Sequence, residues 1–183
     1  LHPILHSFPT RRSSDLAVLP KPYGATRGAE LEPVIESAMF EGLCPILVVP
    51  GPGHAMTAPK RIVIGWNESR EALVAVKAAL PLLAQADLVH VVVVDPPSHG
   101  PSRSDPGGPL SQYLARHGVR AEIDVLSKTL PRISDVLIRH ANDVNADLLV
   151  MGAYGHSRFR EAILGGATRN MLEQSEQTVF MAH

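Results

Sequence analysis

The chain has little that would suit it to gripping nucleic acid, entering a membrane or working in an oxidising compartment. A single cysteine, Cys44, excludes an internal disulfide framework and any multi-cysteine zinc site, which fits a reducing, cytoplasmic setting. Aromatic residues make up 4% of the 183 positions, too few for base-stacking platforms along a single strand. The 17 Lys+Arg nearly cancel the 18 Asp+Glu, leaving −1, so concentrated positive charge for nucleic acid or an anionic membrane is missing. No apolar run approaches the ~20 residues that cross a bilayer; the longest, around Val91–Val94, has strand length. What is present is an apolar share of 45%, enough to build a core.

The first residues lack the features of a domain start. Leu1–Leu16 has no initiator Met, and Arg11–Arg12 follow the apolar residues where a signal peptide would place them first. His6–Leu16 (HSFPTRRSSDL) resembles the translated read-through of a sequencing adapter. Residues 1–16 are therefore expected to be such an artefact or a disordered leader.

Downstream, a Pro- and Gly-rich loop (Pro20–Gly28) precedes a helix over Ala29–Phe40, where Leu31, Val34, Ile35, Ala38 and Met39 recur with helical spacing and Gly42 marks a stop. Pro45–Val49 is a short apolar strand, and residues 51–59 read as a linker. A regular pattern then starts at Lys60. Strands are expected at Arg61–Trp66, Leu88–Val94, Val119–Leu126, Leu148–Met151 and Thr178–Met181. Helices are expected at Ser69–Ala84, Leu110–His117, Arg132–Asn145 (with Pro131 in its first turn) and Gly165–Gln174. In Val119–Leu126, Val119, Ala121, Ile123 and Val125 alternate with Arg120, Glu122 and Asp124, which predicts a half-exposed edge strand. Apolar strands alternating with amphipathic helices predict a doubly wound α/β sandwich around a five-stranded parallel sheet. Ligands of such sheets bind beyond the carboxyl ends of the strands, where the strand order reverses. Ala29–Val49 repeats the helix–strand ending of this pattern. Residues 17–50 thus read as the remnant of a first, related domain, and 60–183 as a complete one.

The strongest local signal is Gly152–Gly166 (GAYGHSRFREAILGG). One glycine pair follows a strand and the other opens a helix. That layout either cradles a phosphate with backbone N–H groups or permits a tight turn and close helix–strand packing. Neither the P-loop nor the dinucleotide fingerprint is present. The nine histidines show no metal-ligand spacing. His156, Arg158 and Arg160 in the same loop could face a phosphate or solvent. Ser69 and Ser157 have no evident His–Asp partners, so a serine nucleophile is unsupported. Glu68, Glu71 and Asp95 could cluster near the strand ends, although helix capping by Asn67 or Ser69, with Glu71 in the first turn, explains such residues more simply.

The order of glycine, two residues, glycine, nine residues, glycine in Gly152, Gly155 and Gly165, together with the opening strand RIVIGWNES and the strand ADLLVMG, resembles the universal stress protein family. Lys60–His183 and Ala29–Pro50 together are similar to its tandem form, with the first domain truncated, and the implied fold is Rossmann-like and similar to adenine-nucleotide α-hydrolases. The resemblance implies a nucleotide site at Gly65, Asn67, Val93, Met151, Gly152, Gly155, Gly165, Gly166 and Ala167, with no catalytic residue and no metal ligand. ATP is the implied cofactor, held weakly or not at all, with Mg²⁺ only alongside nucleotide. Asn67 stands where nucleotide-binding members usually have Asp, and Gly166 where they have Ser or Thr. A lost hydrogen bond to a charged group is worth ~1.5–3 kcal/mol, about ten- to a hundredfold in affinity. Trp66 either fills part of the adenine space or packs at the domain edge. The implied assembly is a homodimer, or an intrachain pseudo-dimer, through Pro45–Val49 and Thr178–Met181, since an apolar edge strand seeks a partner. The expected function is a non-enzymatic stress-response binding module. The alternatives are an enzyme cleaving ATP between its α and β phosphates, or a nucleotide-free protein-interaction domain.

Overall fold

The structure, a computed structural model, describes residues 15–22, 31–51, 58–96, 104–153 and 166–183. The expectation about residues 1–16 falls almost wholly outside them. Seven strands form one sheet: β1 (Ala17–Pro20), β2 (Ile46–Val49), β3 (Arg61–Gly65), β4 (Leu88–Val94), β5 (Ala121–Leu126), β6 (Leu148–Gly152) and β7 (Thr178–Ala182). The helices are α1 (Leu31–Phe40), α2 (Arg70–Leu83), α3 (Gly108–Arg116), α4 (Ile133–Asp143) and α5 (Gly166–Gln174). The strand order is β1-β2-β7-β6-β3-β4-β5, parallel throughout except at the β2–β7 pair.

The fully apolar strands account for the layering. Leu148, Leu149 and Val150 are each at most 1% exposed, as are Ile62, Val63 and Ile64. Such strands need cover on both faces. Ile35 and Met39 of α1, Leu137 and Ala141 of α4, and Met171 and Leu172 of α5 cover one face. Ala75, Val76 and Leu83 of α2, with Leu110 and Leu114 of α3, cover the other. The result is the expected doubly wound sandwich, wider by two strands. In the order β7-β6-β3-β4-β5 the strands are added outward in opposite senses on either side of the β3–β6 pair, which places the switch point at the carboxyl ends of those two strands.

Several local expectations need correction. The sequence pattern assigns no element to Ala17–Leu19 and begins a loop at Pro20, yet Ala17–Pro20 pairs in parallel with Ile46–Val49. Val34 belongs to the helical repeat of α1 but is 46% exposed, so the buried stripe is narrower, with Ile35 and Met39 at its centre. Leu43, not Gly42, takes the left-handed conformation that ends α1, at φ 48°. Gly42 is small for another reason: a Cβ there would lie 2.7 Å from the Ala38 carbonyl oxygen. α3 starts earlier than expected, with Pro109 inside its first turn, behind Gly107 at φ 85°. Arg132 is the N-cap residue of α4, so Pro131 precedes that helix. On β5 the alternation fails at its end: Val125 is 52% exposed, and Asp124 is half-buried.

β2 and β7 pair antiparallel within the chain, through Ile46↔Met181, Leu47↔Phe180 and Val48↔Val179. On either side β1 lies parallel to β2 as β6 lies parallel to β7. Lys21 reinforces this junction by donating to the Ser175 carbonyl at 3.0 Å. Burial lowers the pKa of its ammonium from the ordinary value, while Glu176 and Glu173 pull it back up.

The connection from β3 to α2 is tightly specified. Glu68 sits at φ 60°, Asn67 Oδ1 accepts from the Ser69 N–H at 3.2 Å, and Ser69 Oγ accepts from the Ala72 N–H at 3.1 Å. Ser69 thus caps α2 and Glu71 lies in its first turn, the simpler of the two readings of this stretch. Replacing Ser69 with alanine is expected to cost about 1 kcal/mol. Urea unfolding checks this, and an unchanged midpoint would deny the cap any energetic weight.

Candidate functional site

A cavity of about 260 Å³ opens at the switch point. It is lined by Gly65, Trp66 and Asn67 after β3, Val92 and Val94 of β4, and Met151 and Gly152 of β6. Ile133, Ser134 and Leu137 of α4 and Ala167 and Thr168 of α5 complete the wall. The lining is mostly apolar with a few polar groups, as in small-molecule sites generally, and its volume falls just below their usual ~300–1,000 Å³.

The geometry brings together five of the residues expected from sequence: Gly65, Asn67, Met151, Gly152 and Ala167. Gly166 begins α5 at the edge of the site, exposed, with nothing within 4 Å of where its Cβ would be. Gly155 and Gly165 lie outside the described residues, as do His156, Ser157, Arg158 and Arg160. The Val93 side chain does not line the cavity. Alternation along β4 turns Val92 and Val94 into the cavity and Val93 to the opposite face, where it comes within 3.4 Å of the Cβ position of Gly107. β4 is buried on both faces, so its composition alone does not tell which valines face the site.

Gly152 does two things at once. It lines the cavity, and it lets α2 approach β6 very closely. A Cβ at Gly152 would stand 2.5 Å from the Ala72 nitrogen and 2.7 Å from the Glu71 carbonyl carbon. The packing reading of this glycine therefore holds whether or not an anion sits beside it. Gly65 is less confined: a Cβ there would meet the Leu137 side chain at 3.0 Å, narrowing the cavity. Trp66 both lines the cavity and packs against the α2–α3 side of the core. It is the sole tryptophan of the chain.

Between α4 and α5 lies a partly buried polar network that the sequence does not reveal. Asn170 is 2% exposed and Ser134 1%. Asn170 Nδ2 donates to Ser134 Oγ at 2.8 Å and to Asp135 Oδ1 at 2.6 Å, and Asn170 Oδ1 accepts from Arg132 Nη1. Four residues from two helices thus fix the spacing of α4 and α5, and with it one wall of the cavity.

Of the carboxylates weighed near the strand ends, Glu71 lies in the first turn of α2 and Asp95 holds a backbone turn. Asp95, at φ 46°, accepts from the Lys128 N–H at 3.0 Å. Among the described residues, the group of three metal-capable side chains is elsewhere: His90, Asp124 and His140. They are 34 and 16 positions apart, a separation with no local signature.

The sequence profile of the universal stress protein family matches residues 59–183. A universal stress protein of Synechocystis sp. is 27% identical over 155 residues, covering 84% of this chain and 50% of that protein. The chain thus spans about half the length of that curated relative. Among solved structures, a universal stress protein of Archaeoglobus fulgidus DSM 4304 aligns with a TM-score of 0.60 at 16% identity, over 76% of this chain and 49% of that one. One from Lactobacillus plantarum aligns with a TM-score of 0.53 at 17% identity, over 68% of this chain and 97% of the other. At these identities the structural likeness concerns the fold. The sequence profile covers most of the chain, and the protein belongs to the universal stress protein family.

Proposed function

We propose that the protein is a non-enzymatic stress-response module that holds an adenine nucleotide weakly in the switch-point cavity. The observation that carries this reading is the convergence of Gly65, Asn67, Gly152 and the start of α5 on one cavity at the carboxyl ends of β3 and β6. The first turn of α5 contributes Ala167 and Thr168 to the lining, and a helix start offers unpaired N–H groups to an anion. The apolar wall of Val92, Val94, Leu137 and Met151 suits the flat face of a base. The non-enzymatic reading is supported by how the polar groups beside β3 are used: Asn67 and Ser69 shape and cap the start of α2, which leaves them poorly placed as a phosphate-cleaving loop.

Residues 17–50 are read as the end of a preceding domain of the same kind. Its β1–α1–β2 unit stands against β7 where a second copy would stand in a dimer, forming an intrachain pseudo-dimer. The match to about half of a longer relative supports this.

Calorimetric titration of the full chain with ATP, with and without Mg²⁺, tests the nucleotide reading, and Trp66 fluorescence provides a second signal. Binding in the micromolar range is expected. The Asn67→Asp/Gly166→Ser double variant is expected to bind about ten- to a hundredfold more tightly. The space beside Gly166 accommodates a serine, and a carboxylate in place of the Asn67 amide can still accept from the Ser69 N–H. No heat and no fluorescence change from either protein would overturn the nucleotide reading and leave partner binding as the function.

A further inference from the structure

One step from the cavity wall, on the same face of the sheet, two imidazoles and a carboxylate converge. His90 Nδ1 lies 2.8 Å from Asp124 Oδ2, and His140 Nε2 lies 2.9 Å from the same oxygen. The three atoms fall within 4.8 Å of one another. Each comes from a different element: β4, β5 and α4. His90 is 8% exposed and is the one polar side chain in the strand LVHVVVV. The two rings meet edge to face, with centroids 5.8 Å apart and planes at 78°.

We propose that His90, Asp124 and His140 form a binding site for a divalent transition metal, zinc foremost. Two imidazole nitrogens and one carboxylate oxygen are a donor set that zinc takes readily, with metal–nitrogen and metal–oxygen bonds of about 2.0–2.2 Å. In a tetrahedron of such bonds the ligand atoms stand about 3.3 Å apart. The carboxylate oxygen therefore withdraws by about half an ångström from each ring, and the two nitrogens close toward each other around the ion. Both motions are within the reach of side-chain rotation. Coordination needs a bare nitrogen, so in the bound state each ring carries its proton on the outer nitrogen. The Asp124 side chain is 27% exposed, which leaves room for water as a fourth ligand.

The site ties the edge strand to the core. β5 is the terminal strand of the sheet, and a metal there links it to β4 and α4 at once. Val92 and Val94 follow His90 along β4, and Leu137 and Ser134 precede His140 along α4; all four line the cavity. Occupancy would thus hold together the two elements that wall the cavity.

The test uses the full chain, stripped with a chelator and titrated with Zn²⁺ without nucleotide, because ATP itself binds the ion. One Zn²⁺ per chain is expected, with a melting temperature that rises with the ion. Co²⁺ in its place is expected to give visible bands of a four-coordinate nitrogen–oxygen site, without the near-ultraviolet absorption of a thiolate, which excludes Cys44. His140→Ala and Asp124→Asn are expected to weaken binding at least about tenfold, and His117→Ala, at the end of α3, to leave it unchanged. Asp124→Asn keeps the shape and one acceptor oxygen, so it remains informative if His140→Ala fails to fold. Substoichiometric zinc, a thiolate band, or full binding by both variants would overturn the proposal. So would variants that lose stability while zinc has no effect on the parent, since that is how a hydrogen-bonded clip alone behaves.

Discussion

Gly152→Ala is expected to lower the stability of the protein by about 3 kcal/mol, even though it adds a single methyl group. The reason is what the methyl would meet. The nearest atoms are backbone: the Ala72 nitrogen at 2.5 Å, the Glu71 carbonyl carbon at 2.7 Å and the Ala72 Cα at 3.0 Å. No side chain can turn aside to make room. Relief requires the first turn of α2 to move off β6, and that turn is anchored by the Ser69 cap and by Ala72 and Ala75 in the core. Alanine normally gains about 0.4–1 kcal/mol over glycine through the unfolded chain, which offsets only part of the strain. For a protein of this size, about 3 kcal/mol corresponds to a fall in melting temperature of about 6–12 °C. Calorimetric melting of the two proteins decides the matter. A variant melting within about 2 °C of the parent would mean that α2 is not held against β6 as described.

Asn170→Ala is expected to have the second largest effect, about 2–4 kcal/mol. Asn170, itself 2% exposed, serves three partners at once. Its loss leaves the Ser134 hydroxyl, 1% exposed, without its donor and frees the Arg132 guanidinium from its acceptor. A void left between α4 and α5 adds to the cost. Ser134→Ala alone removes one bond and is expected to cost about 1 kcal/mol. The two changes share a hydrogen bond, so the double variant is expected to cost less than their sum by about 0.5–3 kcal/mol. Strict additivity in urea unfolding would show that the four groups do not act as a unit. Because Ser134 and Thr168 line the cavity, the same variant is also expected to weaken any ligand that uses this wall.

The chain shows how far local pattern reaches. The strands and helices from Arg61 onward are legible to within a few residues, because runs such as RIVIG and LLVMG, set between amphipathic helices, admit few alternatives. β1 is not legible: four residues, AVLP, carry no periodicity, and only pairing with β2 makes them a strand. Five residues expected from the family resemblance, Gly65, Asn67, Met151, Gly152 and Ala167, line the cavity because they sit at element ends that the pattern already locates. The facing of the Val93 side chain, away from the cavity, is not legible because a strand buried on both faces conceals which valines point where. Alternation with Ile123 points Asp124 to solvent, but it turns inward because two histidines from other elements offer it hydrogen bonds. Clusters of this kind are assembled by tertiary contacts between distant residues, and no window along the chain contains them.

The antiparallel seam has a further consequence. Residues 46–48 meet residues 179–181 across a sheet, joined through a long stretch of chain, and nothing in the register requires both strands to belong to one molecule. The β1–α1–β2 segment of one copy can lie on β7 of another, and the reverse, with the same three residue pairs in each place. Such a reciprocal exchange would be a domain swap. The swapped form would satisfy the same strand edges as the closed monomer. Protein concentration, not a newly evolved contact surface, then sets the balance between them, and a chain unfolded and refolded when concentrated would emerge as pairs that separate slowly on dilution.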